Sequence, residues 1–186
     1  MNHDMHVISL ATTGPGRFPD DEVVEIAICG VDTNILDMDC VYSSTIALES
    51  DHWTEERRRF VMENYGLGRE ELDDARDAAE VVHEVKELLH DQVVTSFDIK
   101  ADFYGFLLNL PWDLTGEVSI APSISTRSAE VCRIPYELRE GGNILNLTYD
   151  LMFPHDPVRV QGCHRPLDDA MRASAILLEL RRIGRY

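Results

Sequence analysis

Lysine is almost missing from this chain: Lys86 and Lys100 are the only two. Asp and Glu number 34 against 17 Lys and Arg, so the formal charge is −17. So acidic a chain gains little from long-range attraction to a phosphate backbone, which counts against tight nonspecific nucleic-acid binding and for a protein partner. Bound divalent cations would supply positive charge locally where the side chains do not. Long apolar runs are also lacking; none approaches the roughly 18 residues of a membrane span. Met1-Asn2-His3-Asp4 carries neither the basic nor the apolar region of a secretory signal. The four cysteines, Cys29, Cys40, Cys132 and Cys163, form no Cys-x-x-Cys pair. That argues against a zinc site and for reduced thiols in a cytoplasmic protein. Nor is Gly14-Pro15-Gly16 a phosphate loop, because no Gly-Lys-Ser/Thr follows it.

What is present is a globular composition: 186 residues, 44% of them apolar, enough for one domain with a real core. Residues 6–10 and the β-branched run 22–29 read as strands, joined by a Gly- and Pro-rich loop over 14–21. A third strand is expected within 40–48, after a turn at Asp32-Thr33-Asn34. Thr54 is placed to N-cap a helix. Residues 78–89 repeat Val81, Val82, Val85, Leu88 and Leu89 at helical spacing. A short strand at 93–97 precedes a helix over 102–109, limited by Pro111. A last strand near 117–120 and helices at 146–152 and 167–183 complete the chain. The predicted order is β-β-β-α-α-β-α-β-α-α, a mixed α/β domain without repeats.

Three segments carry candidate chemistry. The first is Ser9-Leu10-Ala11-Thr12-Thr13-Gly14. The second is Ser96-Phe97-Asp98-Ile99-Lys100-Ala101-Asp102, where a strand, a loop and a helix starting near Asp102 aim its carboxylate at the sheet's end. An N-cap or surface acid is the competing reading there. The third is His164-Arg165-Pro166-Leu167-Asp168-Asp169-Ala170, entered through a loop containing Gly162. It opens an amphipathic helix with Leu167, Ala170, Met171, Leu177 and Leu178 toward the core. An acid in that first turn is equally expected from the helix dipole.

Taken in order, with residues 64–72 (Asn64-Tyr65-Gly66 onward) between them, these segments resemble the DEDDh 3′–5′ exonucleases, the family of RNase T and the DNA polymerase III proofreading subunit. The resemblance spans nearly the whole chain. It implies an RNase H-like fold with a five-stranded mixed sheet, in the order 3-2-1-4-5, flanked by helices. It also implies four carboxylates holding two Mg²⁺ or Mn²⁺ ions, with a His as general base. By position, Asp102 and Asp169 are then residual metal ligands and His164 is the base. Thr12, Thr13 and Gly14 would touch substrate. Ser9 and Ala11 stand where the family's first-motif Asp and Glu belong. Ser96 stands where relatives often carry His. Losing two of four charges should cripple a paired-metal site, since hard divalent cations prefer anionic oxygen. Asp98 and Glu25 are the acids to weigh as replacements.

Two functional readings result, with a structural alternative. In the first, a catalytically degenerate exonuclease-fold domain binds single-stranded nucleic acid or a protein. In the second, a working metal-dependent 3′–5′ exonuclease acts on single-stranded RNA or DNA through substitute ligands. An unrelated α/β binding domain is the third, and a different sheet order would favour it. Elsewhere, Arg57-Arg58-Arg59 is expected to be a solvated helix face. Trp53, Phe60 and Tyr65 are expected to pack that helix on the sheet rather than stack bases.

Overall fold

Alternation does not extend to the centre of the sheet: nine consecutive residues of one strand, from Val23 to Val31, are buried. A strand buried on both faces requires a helical layer on each side. The computed structural model supplies both, and it describes residues 3–49, 52–138, 144–156 and 164–186. Strand β1 (Met5–Thr12) pairs antiparallel with β2 (Val23–Asp32), which pairs antiparallel with β3 (Asp37–Thr45). On its other edge β1 pairs in parallel with β4 (Val93–Ser96), and β4 with the short β5 (Ser119–Ile120). The sheet order is 3-2-1-4-5, as expected, and this removes the reading as an unrelated α/β domain.

Helices α1 (Glu55–Tyr65) and α2 (Arg69–Asp73) pack around Ala11 and Val24 at the end of β1, while one layer holds α3 (Ala78–Leu89) and α4 (Ile99–Asp102), the latter running into a π-helical turn at Phe103–Leu107. Val81, Val82, Val85 and Leu89 of α3 pack with Ile8, Ile26 and Ile28, the even residues of β1 and β2. The other layer holds α5 (Ile124–Val131), α6 (Ile144–Met152) and α7 (Pro166–Arg182). Here Ala173, Ile176, Leu177 and Leu180 cover Met5, Val7 and Val31, the odd residues. Burying one such aliphatic side chain stabilises by about 1.5–3 kcal/mol, so α7 is clamped to the sheet along most of its length.

Local chemistry sets the helix ends. Thr54 accepts the Arg57 amide at 3.2 Å, as an N-cap should. Gly66 adopts φ 69°, where a side chain would be strained, and closes α1. Asp77 caps α3 through the amides of Ala79 and Glu80, at 2.9 and 3.1 Å. Pro166 begins α7, with Asp168 and Asp169 in the first turn and Arg181 and Arg182 in the last, each sign matched to the dipole.

Four expectations need correction. The helix anticipated from Asp102 begins three residues earlier, because Asp98 is its N-cap, accepting from Lys100 and Ala101 at 3.0 and 3.4 Å. Helices α2 and α5 were not anticipated: α2 is one short turn, and α5 is too rich in Ser, Thr and charge to show apolar periodicity. Strand β3 starts at Asp37 rather than Cys40. Arg57 is no free solvated side chain, for it pairs with Glu22 and donates to the carbonyls of Asp20 and His52. Only Arg58 and Arg59 are exposed. The loop at Gly162, with Cys163, lies outside the described residues.

Candidate functional site

The C-terminal end of β1, the start of α4 and the start of α7 meet around a cleft of about 570 Å³. Ser9, Asp102, His164 and Asp169 all line it, although 155 residues separate Ser9 from His164. Thr12, Gly14 and Asp98 line it too. The topology explains the meeting: β1 and β4 run parallel, so the strand-to-helix loop after β4 opens beside the end of β1. Helix α7 begins at the same end of the sheet.

Ala11 is not part of the cleft. Its side chain is buried with Val24, Val61 and Leu67, so this position now belongs to the core under α1. Directly across the β1–β2 ladder stands Glu25, also buried. Both its oxygens accept from Arg165, at 2.9 and 3.0 Å, and Arg165 reaches on to Glu71 at 2.8 Å. Burial pushes the Glu25 carboxyl up and Arg165 pulls it down. As a replacement ligand, Glu25 is engaged elsewhere.

The remaining acids differ in state. Burial raises the Asp102 carboxyl to about 7, with Asp98 and Asp169 adding to the rise and Ser96 opposing it. The Ser96 hydroxyl is buried and has no partner of good hydrogen-bond geometry. Asp169 has each oxygen taken: Oδ2 faces His164 Nδ1 at 3.3 Å, and Oδ1 accepts from Arg172 at 3.0 Å. The bond to Asp169 in turn raises the pKa of His164, favouring imidazolium. His164 is also pinned through its backbone amide to the carbonyl of Asn64, at 3.0 Å.

The turn after β1 is built from the sequence's Thr-Thr-Gly. Thr12 donates to the Gly14 carbonyl at 2.8 Å and lies 3.4 Å from the Tyr65 hydroxyl. Thr13 points inward instead, donating to Asp21 at 2.8 Å and accepting the Glu22 amide at 3.0 Å. A Cβ on Gly14 would meet the Asp21 carboxylate at 2.5 Å and push it from its bonds to Thr13 and Gly16. Phe60 and Tyr65 do pack α1 on the sheet, meeting edge to face at 6.2 Å. Both also line the cleft, opposite Phe97 and Phe106, which the expectation of pure packing left out.

Comparison with known proteins gives a consistent answer. No protein-family model and no curated protein matches the sequence. Solved structures do. The 3′-exonuclease solved in 3′-end specific recognition of a histone mRNA stem-loop superposes with a TM-score of 0.70, at 16% identity, over 98% of this chain and 65% of that one. The nuclease domain of 3′hExo, a DEDDh family member bound to rAMP, gives 0.69 at 14% identity, over 98% of this chain and 94% of that domain. E. coli exonuclease I in complex with a dA16 oligonucleotide gives 0.64 at 11% identity, over 97% of this chain but 41% of its own. The chain has the DEDDh exonuclease fold.

DEDDh enzymes use a pair of divalent metals, and the residues present do not fit that pair. Ser9 offers a neutral oxygen, Ala11 none, and Asp169 is shared between two cationic side chains. Among the described residues, no three His, Cys, Asp or Glu side chains are placed to share a metal ion. Sequence reasoning missed Arg172, whose signal was its position three residues after Asp169 on a helix. It also missed Arg165 as the partner of Glu25, 140 residues away, for which the sequence carries no signal.

Proposed function

We propose that this DEDDh-fold domain holds the end of a single nucleic-acid strand without cutting it. The observation that carries the reading is the state of Asp169, with one oxygen facing His164 and the other bonded to Arg172. In a metal-dependent site, such a carboxylate would be needed as an anionic ligand. Here it is neutralised from within. The same logic extends around the cleft. Ser9 and Ala11 stand where the first-motif acids belong, and burial pushes the Asp102 carboxyl up, disfavouring its anion. A cleft that lost its metals but kept its carboxylates would repel phosphate. This one has shed or countered most of that negative charge, and Arg17 stands at its rim.

Phe60, Tyr65 and Phe97, each only partly buried, supply edges and faces on which bases can stack, a contact worth about 1–3 kcal/mol per base. Fold relatives solved with a dA16 oligonucleotide or a histone mRNA stem-loop support a nucleic-acid ligand of this kind. The test is fluorescence anisotropy with labelled 12-nucleotide RNA and DNA in EDTA. The reading expects binding that survives chelation and weakens about tenfold or more in Tyr65→Ala, as loss of one stacked base implies. Absence of strand binding would leave the fold as a scaffold for a protein partner.

A second reading keeps nuclease activity, and one observation favours it: Asp98 and Asp169 both lie near enough to Asp102 to raise its pKa. With Asp98 as substitute ligand and Arg172 displaced, a weak metal site would form. It requires Mn²⁺- or Mg²⁺-dependent shortening of single-stranded RNA or DNA that Asp98→Asn abolishes.

A further inference from the structure

At the other end of β1 and α7 lies a larger cleft, of about 870 Å³, with no part in the site above. Met5 starts β1 on its wall, and Arg181 in the last turn of α7 is another wall residue. Twelve residues of helix separate Asp169 from Arg181, about 18 Å at 1.5 Å per residue. The lining is unusual for so acidic a chain. Arg127, Arg133, Arg181 and Arg185 all face this cleft, and Glu130 is the only acid among its lining residues.

Six of the other described arginines are matched by acids, whereas Arg17, Arg58 and Arg59, scattered over other surfaces, are not. Arg57 pairs with Glu22, Arg69 with Asp73, Arg76 with Glu84, Arg165 with Glu25, Arg172 with Asp169 and Arg182 with Glu179. Among the described residues none of the four cleft arginines pairs with an acidic side chain, and Arg181 alone is engaged, by the main-chain oxygen of the last residue, Tyr186. Arg181 is held in place, donating to the Tyr186 carbonyl at 3.0 Å and to Thr33 at 3.4 Å. The Tyr186 phenol is anchored against Thr95 and Pro122, which fixes an aromatic wall beside the charges. In a chain with a formal charge of −17, four guanidinium groups lining one cleft make it a local exception that favours an anion.

We propose that this cleft is a second binding site, for the phosphate groups of a nucleotide or of a strand terminus. Guanidinium forks pair with phosphate oxygens in bidentate fashion, and several converging on one volume define a phosphate-sized target rather than a diffuse field. The volume falls within the roughly 300–1,000 Å³ of small-molecule sites, large enough for a nucleoside beside its phosphates. Tyr186 offers a ring for the base.

The experiment is calorimetric titration of the full chain, without metal, using inorganic triphosphate, ATP, and decathymidylate with and without a 5′-phosphate. The site predicts binding with a Kd below about 1 mM for inorganic triphosphate and for at least one other phosphorylated probe. Arg127→Ala with Arg133→Ala should weaken it about tenfold or more, as loss of charge-assisted bonds implies. Both positions are exposed, so the variant folds. Arg58→Ala with Arg59→Ala removes the same charge elsewhere and should leave binding within about twofold. Inorganic triphosphate carries no base to stack in the other cleft, so its binding reports this site alone and the two readings fail separately. ATP preferred over 5′-phosphorylated decathymidylate marks a free nucleotide; the reverse preference marks a strand terminus. No binding of inorganic triphosphate, or equal weakening in the Arg58 and Arg59 control, overturns the site.

Discussion

At the scale of the residue, Asp102 makes the sharpest prediction. Burial, which penalises the anion, pushes its carboxyl up to about 7 from the ordinary 3.8. The folded state therefore holds a proton that the unfolded state has released, and stability falls as pH rises from 3.8 through about 7. The raised pKa of His164 acts in the same direction, its contribution fading as pH rises through the folded value. Asp102→Asn should flatten this decline and raise stability at pH 8 by about 1–3 kcal/mol, measured by urea denaturation across pH. A variant as pH-dependent as the parent would place the carboxylate in water. The Glu25–Arg165 pair predicts the opposite sign. Arg165→Ala strands a buried carboxylate and should destabilise by about 3 kcal/mol, while Arg165→Met with Glu25→Gln should recover most of that loss. Single residues were unevenly legible. His164, Asp169, Asp102 and Ser9 could be placed at one site from their motifs. Nothing in the sequence told that Ala11 had joined the core, or that Arg165 and Arg172 had taken up the acids, because partnership across the fold leaves no local pattern.

At the scale of the element, sequence spoke clearly wherever an apolar face or a cap was strong. Residues 78–89 form α3 as its valines required, and Thr54 starts α1. Reading failed where propensity was weak. Ser123 to Val131 lacks an apolar stripe, and α5 is helical because it packs on α7 through Ile124. The start of α4 was misplaced because Asp98 was weighed as a ligand rather than a cap. That choice is testable: Asp98→Ala should cost about 1 kcal/mol of stability, as loss of an N-cap does. Helix α7 carries the largest structural burden, joining the cleft at its first turn to the arginines at its last. Leu177→Ala at its buried centre should cost about 2–5 kcal/mol in thermal or chemical denaturation.

At the scale of the molecule, the sheet order follows from strand and helix succession, and the motifs fixed which exonuclease fold to expect. The charge of −17 was read as an argument against nucleic acid, and the structure refines that argument. Acids dominate the chain as a whole, while four arginines line a cleft at one pole and Asp169 is countered by His164 and Arg172 in the cleft at the other. The central claim, that this cleft holds a strand without hydrolysing it, meets its most direct test in one titration. Mn²⁺ should be titrated calorimetrically into the protein with labelled single-stranded RNA and DNA present, and the strand lengths read from the same samples. The account predicts no stoichiometric Mn²⁺ uptake and strands of unchanged length. Two equivalents of Mn²⁺ bound, with strands shortened from the 3′ end and both effects lost in Asp102→Ala, would contradict it.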